Sequence, residues 1–223
     1  MSTVVAVLGG TGSEGGGIAL RLAHTGHTVI IGSRDEERAK EAARAINDRI
    51  GQERAVGMAN PAAVAAADLV LLTVPYAAQI KTLEPLRQAL QGKILVDATV
   101  PLMPPKVSRV QLPNGASAVA HAQEVLGSEI RVVSAFQNVS AHHLNDLDHS
   151  VDCDVLVCGN DASACDQVIA LIGAIGLRGI YAGTIENSAA AEAMTSLLIA
   201  INRRYKASGS GIRITGLSTS EPG

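Results

Sequence analysis

The sequence predicts an α/β protein built on a doubly wound parallel sheet, followed by a small C-terminal α+β domain. Three observations lead there. Short apolar strands alternate with helical segments through the first 100 residues. One of those strands, DLVLLTVP (Asp68–Pro75), is apolar throughout, as a strand covered on both faces must be. The first strand runs directly into GGTGSEGGG, residues Gly9 to Gly17, which is rich in glycine and carries the single charge of Glu14.

The elements follow in order. VVAVLG (Val4–Gly9) is the first strand, and the glycine loop opens a helix that continues from Ile18 to Thr25. TVIIGS (Thr28–Ser33) is the second strand. A helix is expected over Asp35–Ile50, with apolar positions Ala39, Ala42, Ala43 and Ile46 on one face. AVGMA (Ala55–Ala59) is a weak third strand, Pro61–Ala67 a short helix, and Asp68–Pro75 the fourth strand. Helix over Gln79–Leu90 and strand over Lys93–Pro101 complete the alternation. A proline-rich loop then precedes a helix at Ser117–Leu126 and a strand at Arg131–Phe136. Beyond Asn138 the pattern changes to strand (Asp154–Gly159), helix (Ala162–Ile175) and strand (Leu177–Gly183). One long helix over Thr184–Tyr205 follows, with an edge strand at Ile212–Thr215. The domains are thus 1–140, a Rossmann-type dinucleotide domain, and 141–217, a second domain for substrate or dimerisation. Residues 218–223 are read as a disordered tail.

Composition excludes several classes. The chain of 223 residues is 47% hydrophobic but only 2% aromatic, and its net charge is −3. Without a basic run or stacking aromatics, nucleic acid is not an expected partner. No segment reaches the roughly 18 apolar residues of a membrane helix, so no membrane partner is expected either. Cys153, Cys158 and Cys165 match no zinc or redox spacing and read as reduced, buried thiols of a cytoplasmic protein. His142, His143 and His149, with Asp146 and Asp148, lack a recognised ligand spacing. They read as a polar loop, and no metal is expected.

Gly10-Thr11-Gly12-Ser13-Glu14-Gly15 fits G-x-G-x-x-G between a strand and a helix, the context in which that pattern binds a dinucleotide. Gly10 permits the tight turn, Gly12 lets the backbone approach a pyrophosphate, and Gly15 lets the helix pack on the sheet. Glu14 is expected to face solvent and favour the helix start, or alternatively to touch the substrate side of the cleft. At the end of the second strand an NAD site would carry an acid that binds the ribose. Here Ser33 and Arg34 stand there, with Arg38 one turn on, which favours NADP. Ser33 to Glu36 also fits a capping box, so Ser33 has a second reading as a helix cap, with Asp35 left in solvent. Tyr76 falls at the carboxyl edge of the sheet, where ligands bind. No nucleophile triad or general acid is apparent, which suits direct hydride transfer between two carriers.

GGTGSEGGGIALRLA, VIIGSR, LLTVP, VVSAFQNVSA and RGIYAG, closed by INRRYKASGSGIRIT, together resemble the F420-dependent NADP reductases over nearly the whole chain. The resemblance implies reversible hydride transfer between NADP(H) and the deazaflavin coenzyme F420. Both are small-molecule redox carriers, and no catalytic side chain is required. It implies NADP contacts at Thr11, Gly12, Ser13, Glu14, Ser33, Arg34, Arg38, Tyr76, Ile80, Val100 and Ala141, beside Gly10 of the glycine motif. The two rings would meet near Val100, Pro101, Gln137 and Val139, and a homodimer is expected. Two positions depart from the family. Glu14 stands where an uncharged residue is usual, and Gln137 where His is usual. Gln can hydrogen-bond a ring carbonyl but cannot carry a charge. A flavin or pterin acceptor, or an NADP(H)-binding sensor without turnover, are the alternative readings.

Overall fold

The computed structural model describes residues 3–113 and 116–217, so the expected tail at 218–223 lies outside the described residues. Eight strands form one sheet in the order β3-β2-β1-β4-β5-β6-β7-β8. They are β1 (Val4–Leu8), β2 (Thr28–Ser33), β3 (Ala55–Ala59), β4 (Leu69–Leu72), β5 (Ile94–Asp97), β6 (Arg131–Ser134), β7 (Asp154–Gly159) and β8 (Arg178–Tyr181). From β3 to β6 every pairing is parallel. β7 pairs antiparallel to β6, and β8 is parallel to β7. The segment after Asn138 therefore extends the same sheet. The order reverses between β1 and β4, which opens a crevice at the carboxyl edge.

The two faces are visible in the residue alternation. Val5, Val7, Val29, Ile31, Leu69, Leu71 and Val96 face one core. It is closed by helices α1 (Ser13–His24), α2 (Glu36–Ile50) and α8 (Ala162–Ala174). Ala6, Leu8, Ile30, Val70, Leu72 and Leu95 face the other. That side is covered by α3 (Asn60–Ala66), α4 (Gln79–Leu83), α5 (Arg87–Leu90) and α6 (Ala118–Leu126). The period of two assigns each strand residue to one core, and helices on both faces explain why these strands read as continuously apolar.

Several expected boundaries shift, each for a local reason. The helix expected over residues 79–90 is broken into α4, a 3-10 turn at Glu84–Leu86, and α5. Pro85 sits in that turn and has no amide to donate. The strand expected to reach Phe136 ends at Ser134, because Phe136 turns the chain with φ of +78° while its ring stays buried. Residues 212–215 form no strand. They run beside β7 through an Asp154 N–H bond to the Ile212 carbonyl (2.8 Å) and an Ile214 N–H bond to Asp154 Oδ2 (2.6 Å). The last helix, α9, spans Ser188–Tyr205 after a 3-10 turn. Lys206, left-handed at φ of +54°, caps it.

The polar stretch after Asn138 is not simply a loop. Ala141–Leu144 forms a short helix, α7, packed on α1. Arg21 of α1 fastens it. Its Nε donates to the Leu144 carbonyl (3.0 Å), and its Nη2 to those of His143 (2.9 Å), Asp146 (2.5 Å) and His149 (2.9 Å). The His143 and His149 rings stack at 4.2 Å. Among the described residues, no three His, Cys, Asp or Glu side chains group as metal ligands. Cys153, Cys158 and Cys165 are free and buried, and burial pushes the Cys158 and Cys165 thiols up to about 11. No helix among the described residues is long and apolar enough to cross a membrane.

Candidate active site

The glycine loop lies over the switch point of the sheet. The turn itself is made at Gly9, whose φ is +88°, not at Gly10 as the motif suggests. Gly10 is required for space instead: a Cβ there would stand 2.9 Å from Ile31 Cδ1. At Gly15 a Cβ would meet Thr73 Oγ1 at 2.2 Å and the Gly9 carbonyl at 2.8 Å, so α1 packs directly on the strand ends. Gly12 is different. A Cβ there would approach only the Gly9 carbonyl, at 3.3 Å. Its small size leaves the exposed loop backbone open to a close ligand. Gly12 caps α1 with no side-chain hydrogen bond, so the first-turn amides are left to an anion.

A cavity of about 200 Å³ extends from this loop. Thr11, Gly12, Ser33, Arg34 and Arg38 all line it, which brings five of the expected contacts to one place. A neighbouring cavity of about 530 Å³ shares Ser33 and Arg34 and runs over Pro75 and Ala77 toward Lys81. Tyr76 lies half-buried between Pro75 and Ala77 in the 3-10 turn after β4. The groove thus passes from the helix start to the end of β2.

The β2 end settles what Ser33 and Asp35 do. Asp35, not Ser33, caps α2: Asp35 Oδ1 accepts from the Glu37 amide (3.1 Å) and the Arg38 amide (3.3 Å). Ser33 Oγ accepts from the Asp35 amide (3.1 Å). The one acid near the ribose position is therefore committed to the helix. Arg34 and Arg38 are exposed at the groove, and neither has an ion-pair partner among the described residues.

Glu14 is less exposed than a solvent-facing helix start would leave it. The residue is half-buried, and its carboxyl is pushed up to about 8 by burial first and by the charge of Asp97 second. Ser13 at the helix start accepts a hydrogen bond from Asn145 Nδ2 at its carbonyl (2.7 Å), which ties the loop to the segment after α7. Val100 is half-buried just beyond β5, and Pro101 is buried beside it. Gln137 is 3% exposed, and its Nε2 donates to the Asp97 carbonyl at 2.7 Å. Its Oε1 has no partner within the protein, so the free end it presents is an acceptor. The Gln137 carbonyl in turn accepts from Thr195 of α9 (2.6 Å). Ala141 is half-buried at the start of α7. Ile80 packs on the core beneath α4 and Val139 on the core beside α7, so neither opens onto the two cavities.

Two features of the site were not singled out in the sequence. Arg21 reads as an ordinary helix-face arginine, because its four carbonyl partners lie more than 120 residues away. Asp97 closes an apolar strand, and an isolated acid at the end of VD was the available signal.

The fold and the groove define a dinucleotide-binding oxidoreductase of the Rossmann class. Solved structures agree on the fold. A hypothetical protein from Sinorhizobium meliloti superposes with a TM-score of 0.68 at 24% identity, covering 86% of this chain and 88% of that one. A Plasmodium falciparum pyrroline carboxylate reductase with NADP bound gives 0.61 at 12% identity, over 91% of this chain and 66% of that one.

Sequence relatives are more specific. Residues 4–101 match the family described as "NADP oxidoreductase coenzyme F420-dependent". The chain is 45% identical to the F420-dependent NADP reductase of Methanocaldococcus jannaschii, covering 96% of this chain and 98% of that one. It is 41% identical to the reductase of the same name from Methanothermobacter thermautotrophicus, over 97% of both. The chain belongs to the F420-dependent NADP reductases.

Proposed function

We infer that the protein transfers a hydride reversibly between NADPH and coenzyme F420, with a proton taken up as the deazaflavin is reduced. The observation that carries this reading is the pair of unpaired guanidinium groups, Arg34 and Arg38, at the end of a groove that starts on the glycine loop. Two free cations there suit a 2′-phosphate. The protein's part is to bind and align. The loop amides and Thr11 hold the pyrophosphate, Ser33, Arg34 and Arg38 hold the 2′-phosphate, and Tyr76 flanks the groove. Val100, Pro101 and Gln137 shape the place where nicotinamide C4 and deazaflavin C5 come together. Hydride transfer there depends on orientation and exclusion of water more than on a nucleophile.

We assign residues 1–140 to NADP and 141–217 to the acceptor and the subunit contact, in a cytoplasmic protein with buried, reduced thiols. Leu197, Ile201 and Tyr205 form an exposed stripe at four-residue spacing on α9. A second copy of the chain covers that stripe in the homodimer we propose. A purely monomeric sedimentation profile at micromolar protein would refute it.

The reading is tested by mixing the protein anaerobically with oxidised F420 and either NADPH or NADH. Rapid loss of the deazaflavin absorbance with NADPH and little with NADH is expected. Bleaching of a flavin or pterin but not of F420 would move the acceptor. Binding of NADPH with no turnover on any of them would leave a sensor.

A further inference from the structure

The glycine run at the start of α1 is longer than a dinucleotide motif requires. Gly10, Gly12 and Gly15 complete G-x-G-x-x-G, and Gly16 and Gly17 lie beyond it. At Gly17 a Cβ would stand 2.8 Å from Leu144 Cβ and 2.9 Å from Asn145 Nδ2, closer than a side chain tolerates. The end of α7 therefore lies against bare α1 backbone. A glycine inside a helix is unfavourable relative to alanine, and close packing is what offsets it here.

Ser13, Gly17 and Arg21 fall at i, i+4 and i+8, one stripe of α1. All three meet the segment after β6. Arg21 grips its far part through the carbonyls of His143, Leu144, Asp146 and His149. Asn145 holds its near part. Asn145 Nδ2 donates to the Ser13 carbonyl (2.7 Å) and also to the Ala141 carbonyl (2.8 Å). The two N–H groups of one amide thus join the first residue of α1 to the first residue of α7. With a carbonyl on each side, the amide nitrogen fits there and the amide oxygen does not. On its other side α7 is backed by the C-terminal segment, where His143 Nε2 lies 2.9 Å from the Gly209 carbonyl.

The sheet order gives this bridge its place. Ser33, Arg34 and Arg38 put the adenosine end of the groove at β2, on one side of the switch point between β1 and β4. The other half of an extended dinucleotide runs to the opposite side, over the ends of β4, β5 and β6. Ser13 opens the helix that follows β1, and Ala141 opens the one that follows β6. The bridge therefore spans the nicotinamide side. Ser13 and Ala141 are both expected NADP contacts, whereas Asn145 is half-buried with both of its donors committed to protein carbonyls.

We propose that Asn145 is a positioning residue for the nicotinamide half of NADP(H): it fixes the gap between Ser13 and Ala141, and Gly17 lets α7 come close enough for it to do so. This rests on the NADP reading of the groove. Asn145 acts through the two backbone segments that it joins. Hydride transfer is sensitive to small misplacements of the ring, so a loosened gap slows transfer more than it weakens binding. The adenosine end, at Ser33, Arg34 and Arg38, lies outside the bridge and is left as it was.

The test compares full-length wild type with Asn145→Ala and Asn145→Asp. The second variant keeps the size of the side chain but turns acceptor oxygens toward the two carbonyls. Calorimetry gives the Kd of NADP+ and of adenosine 2′,5′-bisphosphate, which carries the 2′-phosphate and lacks the nicotinamide half. The truncated ligand should bind all three proteins within about twofold, since its site is remote from the substitution. NADP+ should bind about three- to tenfold more weakly to Asn145→Ala, as the loss of one or two hydrogen bonds predicts, and more weakly still to Asn145→Asp. At saturating NADPH, single-turnover hydride transfer to F420 should be at least about tenfold slower in both. Gly17→Ala, a lesion of another kind that pushes α7 off α1, should reproduce the same split between the two ligands. Equal weakening of both ligands would make the bridge a general structural clasp and overturn the proposal. Unchanged NADP+ affinity and an unchanged transfer rate would overturn it too. Failure of the wild type to bind either ligand would instead overturn the NADP reading of the groove, and leave the bridge with nothing to position.

Discussion

Arg34→Ala should weaken NADPH binding about 100-fold and leave NADH within about threefold, because a charge-assisted contact to a doubly charged phosphate contributes roughly 2–3 kcal/mol. Arg34 is exposed at the groove and spends nothing on an internal ion pair, so its removal breaks no other contact among the described residues. Arg38, at i+4 on α2, is the second free cation and would retain part of the selectivity. Asp35 sharpens the discrimination from the other side. Its carboxylate is turned to the Glu37 and Arg38 amides and is not presented to a ribose hydroxyl. The measurement is a fluorescence titration of each reduced nucleotide. Equal losses for NADPH and NADH would refute the assignment of the 2′-phosphate to this end of the groove.

The parts of this site that were legible in the sequence are those set by short-range geometry. The glycine spacing, the apolar strands and the S-R at the end of β2 each fix a local conformation and a chemistry together. Even there the local reading was incomplete. The S-x-x-E pattern puts the cap at Ser33, while Asp35 takes it, because the chain stays extended two residues further than that pattern implies. The parts that were not legible depend on long-range contacts. Glu14 seemed a solvent-facing acid because a carboxylate near a pyrophosphate is unfavourable. The burial and the Asp97 charge that push its carboxyl up come from the folded chain, Asp97 lying 83 residues further along. The short helix α7 was hidden because four residues carry too little periodicity. It is held by Arg21, whose partners are backbone carbonyls with no sequence signature.

Glu192→Ala should destabilise the fold by about 3 kcal/mol, the largest loss expected from a single side chain outside the apolar core. Glu192 is 1% exposed on α9 and reaches the start of α6. Its Oε1 accepts from Ser117 Oγ (2.6 Å) and the Val119 amide (3.1 Å), and its Oε2 from the Ala118 amide (2.8 Å). A helix leaves its first amides without partners, and here a carboxyl from a distant helix supplies acceptors for two of them. Ser117 itself caps α6 by accepting from the Ala120 amide (2.9 Å), and its hydroxyl lies 2.5 Å from that of Ser188. Truncation to Ala would leave two buried amides and a hydroxyl short of acceptors, with a cavity where the side chain was. For a chain of this size the loss corresponds to a fall in Tm of roughly 6–12 °C. Glu192→Gln keeps one acceptor oxygen but turns a donor toward an amide, so it should fall between the two. Thermal denaturation followed by circular dichroism would decide. A Tm within a degree of wild type for Glu192→Ala would mean that water replaces the carboxyl at no loss, and that α9 is held to the sheet by its apolar contacts alone.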